Sequence, residues 1–378
     1  MTYRIPFNRP TVLPDAIGCV TQALQSGRLS GNGPYTRGCE TRLQEITGVR
    51  TALLTNSCTA ALEMSALLLE AQPGDEVVVP SFTFVSTANA FAMHGFKPVF
   101  ADCRPDTLNV DDHTVAPLIG PRTRAILVMH YGGVACEMDG LLALAARHGL
   151  PLVEDNAQGL FGTYKGRPLG SLGAMATQSF HETKNVTSGE GGALLINDAS
   201  FVERAEVLRE KGTNRSRFFR GEVDKYTWVD VGSNFLQSEL QAAYLLTQLR
   251  ASHVVQDKRA HIWRTYDTAL QDWAKANGVR LPVVPPHCEQ PSHLYYVLLP
   301  DEPTRARLID HLKQRGILAV FHYVPLHLSP MGRRFGGVDG MCPVTEDVSE
   351  RLLRLPFYTD LSAGDQDEVI DAVRQFRV

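Results

Sequence analysis

Thr51-Ala-Leu-Leu-Thr-Asn-Ser-Cys-Thr-Ala-Ala-Leu-Glu63 runs from a short apolar segment, through small polar residues, straight into an Ala/Leu-rich helical pattern. The same change of period, extended to helical, recurs downstream of it. Apolar runs at 51–55, 76–80, 98–101, 125–130, 152–154, 177–180 and 193–196 predict strands, with helical patterns between them at 59–70, 85–94 and 137–148. Continuous apolar strands separated by helices predict an α/β fold whose mostly parallel sheet is covered on both faces. Ligands of such sheets sit outside the carboxyl ends of the strands, so the turns after the strands are where chemistry is expected.

After Ser233 the texture changes. Helical patterns at 238–251 and on through 270 lead to the break Pro282-Val-Val-Pro-Pro286, followed by a strand at 294–299, a helix at 304–315, a strand at 319–323 and helices near each end of 346–376. This predicts a large domain over 1–250 and a smaller C-terminal α+β domain over 251–378. A chain of 378 residues is long enough for both.

The charge balance excludes several classes of function. With a formal net charge of −4 and 21% charged residues, the chain has no basic footprint for nucleic acid and no polybasic membrane patch. An anionic ligand must be held by a local cluster. No apolar run is long enough to cross a bilayer, and residues 1–10 lack the apolar core of a signal peptide. The seven cysteines are scattered without a C-x-x-C pair, which predicts neither a disulfide framework nor a metal site. The expected location is the cytoplasm.

Three turns carry candidate chemistry. At Ser57-Cys-Thr59 a strand meets a helix start, where free N–H groups and the helix dipole favour an anion; taken alone, this reads as ordinary capping by Ser57 or Thr59. In Leu152-Val-Glu-Asp-Asn-Ala-Gln158, Asp155 falls at the end of a buried strand, where a carboxylate is costly unless a cation pairs with it. A protonated pyridine nitrogen is such a cation; a cap for the next turn or a metal carboxylate are the other readings. In Ser179-Phe-His-Glu-Thr-Lys-Asn-Val-Thr-Ser-Gly-Glu-Gly-Gly192, Lys184 sits between an apolar strand and a glycine segment. There a lysine is either a solvated loop residue or, in a poorly hydrated pocket, a nucleophile with a depressed pKa.

Taken in order, these stretches resemble the DegT/DnrJ/EryC1/StrS sugar aminotransferases, enzymes of fold type I among those using pyridoxal 5'-phosphate. The likeness runs from Ile5-Pro-Phe-Asn8 to nearly the last helix. It includes Ser26-Gly-Arg-Leu-Ser-Gly31, Asn56-Ser-Cys-Thr-Ala-Ala-Leu62, Pro80-Ser-Phe-Thr-Phe-Val-Ser-Thr-Ala-Asn89, Glu154-Asp-Asn-Ala-Gln158, Gly189-Glu-Gly-Gly192 and Phe321-His-Tyr-Val-Pro-Leu-His327. The resemblance implies that Lys184 carries the cofactor, Asp155 partners its pyridine nitrogen, Gln158 lies beside its phenolic oxygen and Phe84 stacks on its ring. It also implies that Cys58, Thr59 and Ser179 cradle the phosphate, and that Asn234 reaches the phosphate of a neighbouring subunit, which makes the protein a homodimer with shared sites. Tyr323 and His327 match positions near the sugar. Many members carry an arginine where this chain has Leu236, which leaves that arginine's role without a counterpart.

Within the family, His130-Tyr-Gly-Gly-Val-Ala-Cys-Glu-Met-Asp139 and the segment from Glu210 to Trp228 resemble members that convert dTDP-4-keto-6-deoxyglucose to dTDP-4-amino-4,6-dideoxygalactose, with L-glutamate as donor. The second segment concentrates Lys211, Arg215, Arg217, Arg220 and Lys225. Such a cluster suits a diphosphate clamp, and equally an exposed basic loop. A C3-specific or gluco-configured aminotransferase, and a non-catalytic sensor that binds sugar nucleotides, are the alternatives. A nicotinamide-dependent dehydrogenase lacks support, because the chain has no G-x-G-x-x-G.

Overall fold

The computed structural model describes residues 3–378. Among the described residues, nine strands lie between 51 and 196: β1 (Thr51–Thr55), β2 (Glu76–Pro80), β3 (Lys97–Ala101), β4 (Thr123–Met129), β5 (Leu152–Asp155), β6 (Thr163–Tyr164), β7 (Arg167–Pro168), β8 (Met175–Ser179) and β9 (Gly192–Ile196). Seven of them form the central sheet in the order β1-β9-β8-β5-β4-β2-β3. Every neighbouring pair is parallel except those made by β9, which runs antiparallel to both β1 and β8. A parallel return needs a crossover, usually a helix. Residues 180–191 contain none and fold back instead, with the Phe180 amide donating to the Gly191 carbonyl at 2.8 Å and the Ser188 amide to the Phe180 carbonyl at 2.9 Å.

Both faces of this sheet are apolar, as the continuous strands predict. Val77, Val79, Leu127 and Val153 point into one core with the helices Cys58–Leu68 and Val85–Met93. Their neighbours Val78, Ile126, Val128 and Leu152 point into the other, with the helix Met138–His148. Alternate residues of one strand serve opposite faces because the side-chain period is two.

A second sheet follows β10 (Cys288–Glu289), which pairs with β6: β11 (Tyr296–Leu298), β12 (Val320–Phe321) and β13 (Leu352–Arg354), with β13 central and antiparallel to both neighbours. β13 is absent from the expectation drawn from sequence, since three residues directly after the helix Pro343–Arg351 show no period of their own. The long helix Ser252–Ala276 packs Ile262, Tyr266 and Leu270 against Val297, Leu312 and Val373 in a separate core. Ile5 joins that core and bridges to Ile317, so the start of the chain rests on its C-terminal part.

One buried, hydrogen-bonded carboxylate anchors the site from behind. Glu154, on the opposite face of β5 from Asp155, accepts from His130 Nε2 at 2.9 Å and from the amides of Gly170 (2.9 Å), Leu172 (2.8 Å) and Gly173 (2.7 Å). His130 Nδ1 accepts from the Cys136 amide at 3.2 Å, which leaves Nε2 as the donor. Burial by itself would raise the Glu154 carboxyl, but His130 and the amides outweigh it and hold the carboxyl below its usual value. A depressed carboxyl contributes stability above its unfolded pKa and loses it as the pH falls through the folded one. Glu154→Ala leaves these buried donors without an acceptor and should cost about 1–3 kcal/mol at neutral pH for each one that finds no other partner. Urea unfolding measures this, and the deficit should narrow below the ordinary carboxylate range.

Candidate active site

The carboxyl ends of β5 and β8, the start of the helix Cys58–Leu68, and the segment after β12 converge on one cleft of about 770 Å³. Ser57, Cys58, Thr59, Phe84, Asp155, Gln158, Ser179, Lys184 and Tyr323 all line it, and they come from five separate stretches of sequence. Its size lies within the range of small-molecule sites.

Asp155 ends β5 and is buried. Its carboxylate accepts from Thr87 Oγ1 at 2.7 Å and from the Ala157 amide at 3.1 Å. Burial raises its pKa, while Thr87, the Ala157 amide and Lys184 pull the other way. A carboxylate in that position is complete only when a cation joins it. Lys184 lies beyond the end of β8, half-buried, with its backbone amide donating to the His181 carbonyl at 2.9 Å. Burial pushes its ammonium below the usual lysine value, Cys58 and Asp155 oppose that shift, and Arg354 adds to it.

The helix Cys58–Leu68 opens at Ser57, whose Oγ accepts from the Ala60 amide at 3.0 Å. The Cys58 and Thr59 amides, at the first positions of the helix, have no intrahelical acceptor and face the anion-favouring end of the dipole. Gly192 lets β9 pass beside this turn, since a Cβ there would stand 2.4 Å from the Cys58 nitrogen. Thr59 Oγ1 lies 2.9 Å from Ser86 Oγ. Gln158 is fixed at both ends: its Oε1 accepts from the Gly132 amide at 2.7 Å and its Nε2 donates to the Tyr323 hydroxyl at 2.8 Å. Phe84, 57% exposed, stands at the mouth with its ring 6.4 Å from that of Tyr323.

Other sequence-predicted residues lie elsewhere. His327 is fully buried and does not line the cleft: its Nδ1 lies 2.6 Å from Ser81 Oγ and its Nε2 2.9 Å from Glu346 Oε1. The expectation of a sugar-facing histidine is corrected to one that ties the 326–346 segment to the end of β2. Asn234 is exposed outside the cleft, where its carbonyl accepts from Asn56 Nδ2 at 3.1 Å. Lys211, Arg215 and Lys225 are exposed and line no part of this chain's cleft. Arg217 pairs with Glu203 and Glu222, and Arg220 with Glu206 and Glu222, so much of the basic character of this segment is internally neutralised.

Sequence reasoning missed Phe7, His293, His322 and Arg354, which line the cleft, and Thr87, which holds Asp155. Phe7, Thr87 and His322 lie inside the stretches that carry the resemblance without being singled out there, whereas His293 and Arg354 come from segments with no local signature of a site.

The donor set fits pyridoxal phosphate. The buried carboxylate of Asp155 suits a protonated ring nitrogen, the Cys58–Thr59 helix start with Ser179 suits a phosphate, and Lys184 suits the aldehyde. Comparison with known proteins agrees. Over 379 aligned residues the chain is 36% identical to the spore coat polysaccharide biosynthesis protein SpsC of Bacillus subtilis, covering 98% of this chain and 96% of that one. The aminotransferase TlmJ of Streptoalloteichus hindustanus superposes with a TM-score of 0.89 at 32% identity, over 99% of this chain and 98% of the other. Spr1654 of Streptococcus pneumoniae, in its PLP-form, gives 0.90 at 27%, over 98% of each chain. The fold and the cleft together define a pyridoxal-phosphate-dependent aminotransferase. Residues 13–374 match the profile of the DegT/DnrJ/EryC1/StrS aminotransferase family, and the chain belongs to that family.

Proposed function

We propose that the protein transfers the amino group of L-glutamate to the C4 ketone of dTDP-4-keto-6-deoxyglucose, giving dTDP-4-amino-4,6-dideoxygalactose, as a cytoplasmic homodimer. The observation that carries this reading is the convergence of Lys184, Asp155 and Gln158 on one cleft, in a chain whose 130–139 and 210–228 segments resemble that subgroup. Bound pyridoxal phosphate supplies the carbonyl that takes up the amine and the ring that delocalises the electrons of the broken C–H bond. The chain's own residues do the rest. Lys184 Nζ, with its pKa lowered by burial, takes the proton from the substrate carbon and returns it, as general base and then acid. Asp155, held in place by Thr87 and the Ala157 amide, keeps a proton on the ring nitrogen. Gln158, oriented by the Gly132 amide and the Tyr323 hydroxyl, would lie beside the ring's oxygen, and Phe84 at the mouth would stack on the ring.

Purified protein should show a visible cofactor band that L-glutamate bleaches and the keto-sugar nucleotide restores, and NMR of the product should place the amine at C4 with galacto configuration. A C3 amine or a gluco product would overturn the assignment of the substrate, and a band that no amino acid bleaches would favour the sensor.

The basic segment gives a second test. Arg217 and Arg220 already hold acid partners, Arg215 stands 3.8 Å from Glu210 and 5.1 Å from the Phe219 ring, and Lys211 and Lys225 have no acid partner among the described residues. If the segment clamps a diphosphate across a dimer, neutralising Arg215 or Lys225 should raise the KM for the sugar nucleotide by about one to two decades and leave the glutamate half-reaction alone. Changing Arg217 or Arg220 should do less.

Asn234 is assigned to the partner's cofactor phosphate. Exposed apolar residues support an interface: Trp228 is 76% exposed, Ile17 73% and Phe219 65%. Mixing inactive Lys184→Ala protein with an inactive Asn234→Ala variant should restore part of the activity by assembling one intact site. A monomer that remains fully active in sedimentation would contradict the shared site.

A further inference from the structure

Lys184 and His293 both line the cleft, and with Gln158, Ser179 and Asn185 they also line a small recess that adjoins it. Lys184 Nζ meets no acceptor among the described residues, although its charge is felt at Cys58, Asp155 and His293. His293 is buried, with its Nδ1 3.0 Å from Asn185 Oδ1. Its neighbours decide which ring nitrogen carries the proton. Asn185 Nδ2 faces the Pro291 carbonyl at 2.7 Å and Gln256 Oε1 at 2.9 Å, and Gln256 Nε2 faces the same carbonyl at 3.0 Å. A carbonyl only accepts, so neither amide can be turned round, and Asn185 Oδ1 must accept from His293 Nδ1–H. Nε2 is left as a lone pair. It has no partner among the described residues and is not one of the chain's sealed, unpartnered polar atoms, so it opens on the cleft.

An arginine fixes the ring in that attitude. Arg259 is fully buried on the helix Ser252–Ala276, has no carboxylate partner among the described residues, and is directed at backbone. Its Nε donates to the Ser292 carbonyl at 3.0 Å and one Nη to the His293 carbonyl at 2.6 Å, while the other Nη reaches Thr359 Oγ1 at 3.4 Å. Between those two carbonyls Ser292 is held at a φ of 52°, in the left-handed region that serine rarely adopts. Such strain persists only where the surroundings over-determine it. Burial, with the charges of Lys184, Arg259 and Arg354, keeps the imidazole neutral. The cleft's carboxylates are engaged elsewhere, Asp155 by Thr87 and the Ala157 amide, and Glu190 stands 3.8 Å from His181. Lys184 is the neighbour that needs an acceptor. Each half of a transamination frees its amine, and an amine on a flexible stem must be held with its lone pair toward the substrate carbon before it can act as base.

We propose that His293 is a positioning residue for Lys184: whenever the lysine is free of the cofactor, Nε2 accepts one of its N–H bonds and so turns the amine toward the substrate carbon. This rests on the aminotransferase reading and adds to it a group that steers the proton-transfer step. It also accounts for the Arg259 clamp, which fixes the backbone of His293 while Asn185 fixes the ring.

The test uses holoenzyme loaded with pyridoxamine 5'-phosphate, which leaves Lys184 free, and two variants that separate the ring nitrogens. His293→Asn keeps an N–H where Nδ1 donates to Asn185 and leaves nothing at Nε2. His293→Gln extends to the Nε2 position with an oxygen that accepts. Labelling of Lys184 by acetic anhydride across pH, read by mass spectrometry and scaled to its plateau, follows the unprotonated amine without any turnover. An acceptor stabilises the ammonium, so removing it should move the labelling midpoint of His293→Asn to lower pH. Below the midpoint its scaled labelling rate should exceed the parent's about tenfold, and His293→Gln should stay within about threefold. In single turnovers with L-glutamate, His293→Asn should lower the saturated rate about tenfold, leave the half-saturating glutamate concentration unchanged, and be largely rescued in His293→Gln. An unmoved labelling midpoint in His293→Asn would overturn the proposal. So would a rise in half-saturating glutamate with an unchanged saturated rate, which would make His293 a donor contact. Equal or greater damage in His293→Gln, with a lowered melting temperature, would reduce the ring to a structural tie. If the variants do not fold, nitrogen NMR of the parent still decides, since a protonated Nε2, or one that does not respond to Lys184→Met, contradicts the contact. Protein whose cofactor band no amino acid bleaches would reject the aminotransferase reading, while the labelling midpoints would still decide the contact at Lys184.

Discussion

Lys184→Ala should yield a folded protein with no measurable turnover and no lysine-linked cofactor absorbance. Losing the proton transfer alone costs on the order of 10²–10⁴-fold, and the covalent anchor is lost with it. Steady-state assay and the visible spectrum check this, and near-normal turnover in a cofactor-loaded variant would remove Lys184 from the chemistry. Stability supplies an independent sign. Burial depresses the Lys184 ammonium, so at any pH below the unfolded lysine value the unfolded chain binds that proton more readily, and the residue costs stability. Without cofactor, Lys184→Ala should therefore melt at or above the parent temperature at neutral pH. A clear drop would mean that Lys184 is mainly structural.

Asp155→Asn is the second large effect. Asparagine keeps the size and one oxygen, which can still accept from the Ala157 amide while its Nδ2 donates to the Thr87 hydroxyl in place of the bond that Oδ2 accepted, but it removes the charge that holds a proton on the ring nitrogen. The expected fall in kcat is on the order of 10²-fold or more, the scale on which a preorganised electrostatic partner acts, with cofactor content largely kept. Activity within a factor of a few of the parent would reject the role. Here too the free protein reports separately. The Asp155 carboxyl is raised by burial, so its ionised form costs stability once the pH passes the unfolded carboxylate value. The cofactor-free asparagine variant should gain stability at neutral pH and show no gain below that range.

The sequence alone determined the elements that depend on local pattern. The seven strands of the central sheet and the helices between them were legible because buried strands of five or so apolar residues and Ala/Leu-rich helices carry their period within the segment itself. Asp155, Lys184 and the Ser57–Thr59 turn stood out in the sequence because each lies at or just beyond the end of a strand, where an α/β sheet exposes its carboxyl ends, whereas Gln158 and Ser179 were named only through the family resemblance. Tertiary structure alone decided what depends on distant partners. β9 enters the sheet antiparallel because the 180–191 segment closes on itself, which its apolar run does not reveal. His327 is buried because Ser81 and Glu346 meet its two ring nitrogens from separate parts of the chain, whereas its neighbour Tyr323 reaches Gln158 and the cleft. Arg354 is an ordinary arginine in Leu352-Leu-Arg-Leu355 until β13 is set between β11 and β12 and Phe7 comes in from the other end of the chain. A residue's period records only which way its own element faces; which cations, carboxylates and rings stand opposite it is fixed by contacts hundreds of residues apart, and those form only when the two cores close around the cleft.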